Sequence, residues 1–296
     1  MTTLPRRAMG RILHDLRIAA KLGQLPAALR IDVSPQTIGR LEDGVSVRIS
    51  TVQLEALLDL YGADSSSRAD VMQLWKEVKE AKSQRDTTGW WKPYADVTYG
   101  QTFDHYLSLE SAANRLRTFQ LTLLPGLVQT AAYRRSITLA ANPELSQAEI
   151  DRRIELMVLR QTKRLSGSGD FAMDVLLSEM ALRLPVGDPD VMSEQLIKLI
   201  HVGQLPNVSI RVVPQGVIGH PGLVIGSFTL CEFPMLPSTR LTEPPVVYVE
   251  GYEGALFLED NREVTRYRNT LTRIRHVALT EEESRTLILE VVESLR

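Results

Sequence analysis

Gln36 and Arg40 stand four residues apart within residues 34–44, a spacing that puts both on one face of a short helix. Their donors match base edges in the major groove, an amide with adenine and a guanidinium with guanine. Ser34 is a strong N-cap residue, and Pro35 fits the first helical position, where a missing N–H costs nothing. Ile38 and Leu41, three apart, supply an apolar back, and Gly44 a C-terminal stop. The stretch reads as a helix of about two turns with the chemistry of DNA recognition.

Other constellations are weaker. The chain has five histidines, and His105, His201, His220 and His276 fall in no metal-ligand spacing. Cys231 lies in an alternating strand with nothing basic beside it, which reads as a buried structural thiol. Residues 166–169 carry glycines without the Lys-Ser/Thr of a phosphate loop, so they read as a turn. Glu179, Glu250, Glu253, Glu259 and Asp260 could include a general acid–base pair, but carboxylates at caps and strand ends are commonly structural. The expectation is a protein that is not an enzyme and holds neither cofactor nor metal. Trp90, Trp91 and Tyr94 would line a ligand pocket, form an interface or anchor a linker, and the reading favours the anchor. The loop at His220-Pro221-Gly222 is a second candidate contact surface.

The elements that must position Gln36 and Arg40 surround them closely. Residues 8–20 and 24–30 read as helices, and Ile31-Asp32-Val33 is the turn into the next one. Ser50-Thr51-Val52-Gln53 is a capping box that opens a helix ending at Gly62. Two short helices across a tight turn make a helix-turn-helix unit, which we place at 1–64. A helix at 65–86 reads as a linker, and 87–296 as a second domain. There the strand-like stretches 116–123, 171–177, 208–212, 227–233, 246–251 and 255–258 alternate with helices. The expected architecture is mainly α in the head, with four or five helices, and α+β beyond it with a small, mostly antiparallel sheet.

Charge divides along the same line. Net charge is −2 overall, yet residues 1–50 hold eight basic side chains against four acids. A basic head on an acidic body is the footprint that phosphate binding needs. Arg6 and Arg7 read as a basic arm. One cysteine fits a reducing compartment, and no apolar run approaches the roughly 20 residues of a membrane span, so a cytoplasmic protein is expected.

Gln24, Ala28, Val33-Ser34, Thr37-Ile38, Leu41-Glu42 and Asp43-Gly44 together resemble the phage-repressor-like (xenobiotic-response-element, XRE) DNA-binding domains, a lambda-repressor-like fold. The resemblance implies that Gln24 contacts a phosphate and that Pro35, Gln36 and Arg40 face bases. It sets Ser34 at the helix cap and Thr37 nearer the DNA backbone, and the reading adds Arg48 for phosphate. It also implies a buried ion pair between Arg17 and Glu42. Gly23, in place of the usual Ser/Thr cap, and Gly39 inside the helix depart from the pattern. Further on, Leu124-Pro-Gly-Leu-Val-Gln-Thr130 with Tyr133, Arg160-Gln161, Gln195-Leu196 and Val247-Tyr-Val-Glu250 resemble the C-terminal domain of actinobacterial antitoxin-like regulators. That resemblance implies a transcriptional regulator bound to double-stranded DNA, with a small toxin-like or developmental protein as partner. Homodimers are expected because two half-sites add affinity and spacing specificity. The alternatives are a second domain that senses a small molecule and, behind it, a DNA-tethered enzyme.

Overall fold

Apolar residues three and four apart build the first five helices: α1 (Leu4–Ala19), α2 (Gln24–Arg30), α3 (Pro35–Glu42), α4 (Thr51–Leu60) and α5 (Ser65–Ser83). The computed structural model describes residues 3–83, 89–97, 100–165 and 170–295. The domain boundary read at residue 86 and the turn read at 166–169 lie outside them. The helices enclose one core of Met9, Leu13, Ile38, Leu54, Leu57 and Leu58, to which α5 adds Val71, Leu74, Trp75 and Val78. The helix read as a linker is thus the fifth helix of this core. Met1–Lys92 form one compact unit together with Phe103–Ala112, most of α6 (Gly100–Ala112), and with Phe233–Glu243, whose Leu236 joins the core.

The second unit comprises Pro93–Thr102, Ala113–Glu232 and Pro244–Arg296. Its sheet is formed by β1 (Arg115–Gln120), β2 (Ala172–Ser178), β3 (Val208–Val213), β4 (Phe228–Glu232), β5 (Val246–Glu250) and β6 (Ala255–Leu258), in the order β3-β2-β1-β4-β5-β6. The expectation of a small, mostly antiparallel sheet holds in part, since three of the five pairings are antiparallel. The sheet has six strands and is mixed: β1–β2 and β2–β3 are parallel, whereas β1–β4, β4–β5 and β5–β6 are antiparallel. The reason lies in the connections. Helices α7 (Ala131–Ala141) and α8 (Gln147–Leu165) separate β1 from β2, and α9 (Met180–Arg183) and α10 (Pro189–Val202) separate β2 from β3. Such crossovers return the chain to the same end of the sheet and impose parallel pairing. The last pair instead closes through a tight turn, with the Gly251 N–H donating to the Gly254 carbonyl at 2.7 Å.

After α11 (Gly222–Ile225), α12 (Asn261–Val277) lays Val264, Leu271 and Ile274 over Phe119, Leu176, Leu230 and Val247 of the sheet. The final helix, α13 (Glu281–Ser294), packs on α10 and β3. Thr280 and Glu283 close its N-terminus as a capping box; the Thr280 backbone N–H and hydroxyl hold the Glu283 carboxyl below its ordinary pKa.

Polar side chains fix the segment that enters α7. Gln195 is fully buried; its amide oxygen accepts from Thr130 N at 2.6 Å while its nitrogen donates to the Val128 carbonyl at 2.8 Å. The Gln161 amide nitrogen donates to the carbonyls of Gly126 and Gln129, at 2.9 and 2.8 Å. Lys198 adds bonds to the Gln129 carbonyl and the Gln161 amide oxygen, and burial lowers its pKa. Residues quoted for the second resemblance therefore converge on one buried network, in which α8 and α10 supply what an irregular segment cannot pair for itself. Gln195→Leu removes the partners of two backbone groups, and each buried orphan costs roughly 1–3 kcal/mol. We expect chemical denaturation to show a loss of about 2–6 kcal/mol.

Candidate nucleic-acid interface

The turn between α2 and α3 is made by local chemistry. Val33 N–H donates to the Ala28 carbonyl at 3.0 Å, and Asp32 takes a left-handed φ of 55°, which Asp tolerates better than most residues. Ser34 caps α3 by accepting from Thr37 N at 3.2 Å, and its hydroxyl lies 2.9 Å from that of Thr37. At the other end Gly44 N–H donates to the Leu41 carbonyl and Val45 N–H to the Arg40 carbonyl, with Gly44 at φ 67°. This pairing is a Schellman stop. Between cap and stop, Ile38 and Leu41 are buried.

Ser34, Pro35, Gln36 and Arg40 are exposed on the outer side of α3, and Thr37 is half-buried. Gln24, exposed at the start of α2, reaches the same surface: a Cβ built on Gly39 would sit 3.3 Å from its amide nitrogen. Gly39, which departs from the repressor pattern, is therefore the room that Gln24 occupies across α3. Its neighbour Gly23 caps α2 with no side-chain hydrogen bond. Arg48 is exposed beyond the stop, between α3 and α4.

Three contacts hold α3 from behind. Arg17 of α1 donates to Glu42 through Nε at 2.6 Å and Nη2 at 2.7 Å, and its Nη1 donates to the Leu22 carbonyl at 2.8 Å. Both side chains are buried. The bond to Glu42 raises the Arg17 pKa; burial, with Glu42 adding, pushes that of Tyr61 up. Gly10 of α1 makes a second contact, because a Cβ there would fall 2.4 Å from the Glu42 carbonyl oxygen and 2.6 Å from that of Leu41. Only glycine lets the two helices approach so closely. Gln53 makes the third: its amide oxygen completes the capping box of α4 while its nitrogen donates to the Ile31 carbonyl at 2.7 Å, inside the turn. Sequence reasoning had no role for Gly10 and gave Gln53 only the cap. The one available signal was a glycine inside an amphipathic helix.

The basic footprint is smaller than the residue count implies. Arg6 and Arg7 are no arm, because α1 begins at Leu4 and includes both. Arg7 is buried, with its guanidinium over Phe233 and 3.6 Å from Glu243, which Arg11 also meets at 2.5 Å. With Arg17 committed to Glu42, the exposed cations of the first fifty residues are Lys21, Arg30, Arg40 and Arg48.

Six of the other candidates have structural surroundings. Trp91 is buried edge-on to Trp90, Tyr94 lies under the Arg152 guanidinium, and Cys231 is buried in β4. Glu179 accepts from Arg183 and from the Gln215 N–H, and Asp260 caps α12. No helix among the described residues is long and apolar enough to cross a membrane.

Comparison with known families places two models on the chain. A family model described as a domain of unknown function (DUF5753) matches residues 103–290, more than half of the chain. The chain belongs to the DUF5753 family. Within DUF5753 coverage fall the mixed sheet and the buried Gln161–Gln195–Lys198 network. A second model, described as a helix-turn-helix domain, matches residues 8–71 and so takes in α2 and α3. This DUF5753 chain thus carries the DNA-binding module of a regulator at its head. No curated protein and no solved structure matches it.

The Arg17–Glu42 pair yields a test of the support behind α3. Arg17→Met leaves a carboxylate buried without its partner, which costs about 3–5 kcal/mol, whereas replacing both members with apolar residues is often close to neutral. We expect equilibrium denaturation to show that loss for Arg17→Met and recovery of most of it for Arg17→Met combined with Glu42→Leu.

Proposed function

We propose that the chain is a sequence-specific, XRE-type transcriptional regulator that binds double-stranded DNA as a homodimer in the cytoplasm. Its DUF5753 unit takes a small protein partner, toxin-like or developmental, in an antitoxin-like arrangement, and has no catalytic role. The observation that carries the reading is the two-sidedness of α3. Gln36 and Arg40 are exposed on one side, and the other is held by Arg17, Gly10 and the buried Ile38 and Leu41. An α-helix held this way enters a major groove as a rigid reader, and its amide and guanidinium discriminate bases. Gln24 and Arg48 flank it for phosphates, which position the module without reading sequence. For the partner to regulate, it must bind the DNA-competent and DNA-incompetent states with different affinities.

The two classes of contact separate in a titration on the cognate operator. Arg40→Ala is expected to lose about 1–3 kcal/mol and to relax base preference, whereas Gln24→Ala should weaken binding evenly across sequences. Unchanged affinity and preference for Arg40→Ala would remove the groove assignment. The partner half is tested by purifying the tagged chain with the small protein encoded beside it. A complex that survives size exclusion supports the proposal, and separate elution of the two overturns it.

A further inference from the structure

A cleft of about 370 Å³ opens in the head between α1, α5 and the 44–50 segment, behind the C-terminal end of α3. That volume lies within the range of about 300–1,000 Å³ typical of small-molecule sites. Its apolar lining comes from Met9, Leu41, Val47, Trp75 and Val78. Its polar lining combines the uncharged Ser46, Ser50 and Gln53 with charges of one sign: Arg6, Arg48 and Lys79 contribute cations, and no acidic side chain is among the described residues that line it. Lys79 is held in place, its ammonium 2.6 Å from the Thr51 hydroxyl and 5.3 Å from the centre of the Trp75 ring. The Trp75 indole N–H donates to the same hydroxyl at 3.2 Å.

We infer that this cleft binds a small amphipathic anion, a carboxylate, sulfonate or phosphate on an apolar body, with the anion at Lys79, Arg6 and Arg48 and the body against Trp75 and Val78. The chemistry decides the class. An apolar surface of this size facing water gains free energy when a hydrocarbon or aromatic group covers it. Cations on the rim with no lining carboxylate among the described residues favour an anion over a cation or a neutral molecule. A neutral apolar molecule would satisfy only the lining, and a sugar–phosphate backbone only the cations. Every described lining residue belongs to the first unit, so the inference needs neither the DNA reading nor the partner.

The test is a fluorescence titration of the full chain with anilinonaphthalene sulfonate, an aromatic anion that brightens in apolar surroundings, followed by displacement with decanoate or with decanol. Saturable one-to-one binding is expected, displaced by decanoate and at least about fivefold less effectively by decanol, the scale of one exposed charge interaction of about 1 kcal/mol. Lys79→Gln should weaken binding by a similar factor, and Ser46→Trp, which fills the cleft from its exposed edge, should abolish it. Thermal unfolding followed by circular dichroism checks that both variants are folded; a variant that is not is replaced by Lys79→Met or Ser46→Phe at the same position. Absence of saturable binding overturns the inference. So do equal displacement by decanol and decanoate, and wild-type affinity in both folded variants.

Discussion

A buried guanidinium–carboxylate pair sets the frame of the head. Arg17 uses two nitrogens on Glu42 and a third on the Leu22 carbonyl, so one side chain joins α1, the turn that follows it and the far end of α3. Neither charge is tolerable alone in that position, and their geometry admits few alternatives. Directionality is what the pair adds to a core that is otherwise aliphatic. Packing of Ile38 and Leu41 would accept small rotations of α3, while a two-point hydrogen bond with Gly10 pressed against the helix end does not.

The second unit solves a different problem by similar means. Residues 124–130 run between β1 and α7 with a single 3-10 turn at Gly126–Val128, and much of the stretch is buried. Glutamines from α8 and α10 serve as surrogates for the missing ladder, each acting as donor and acceptor at once. Such a network fixes conformation because every member depends on the others being in place. The same logic recurs at Gln53, which serves the cap of α4 and the turn before α3 with the two ends of one amide.

Much of this was legible in the residues, and what was not has a physical reason. Caps and stops act within four or five residues, so Ser34, Gly44, Ser50 and Thr280 announce the ends of their helices directly. The six extended stretches were visible as well. Their pairing was less so, because alternation describes one strand and says nothing about which neighbour it meets. The helices between β1, β2 and β3 were the better guide to parallel order. Gly10 was beyond reach, since its role depends on carbonyls more than thirty positions away. The net charge of the head misled for a related reason. Counting treats Arg7 and Arg11 as surface, whereas Glu243 lies 232 positions from Arg11 and draws both inward.

That distant glutamate has a consequence for synthesis. Leu236 and Glu243 complete the core and the ion pairs of a head whose first five helices end by Ser83. On the ribosome, at about 5–20 residues per second, those two arrive roughly ten to thirty seconds after the last of the five helices. Until then Arg7 lacks its buried carboxylate and the core lacks a leucine, so a nascent or truncated chain presents an unfinished reading head. The ordering ties maturation of the module to production of the four strands that precede Phe233. A fragment that ended early would then be a poor competitor for the sites that the finished protein occupies.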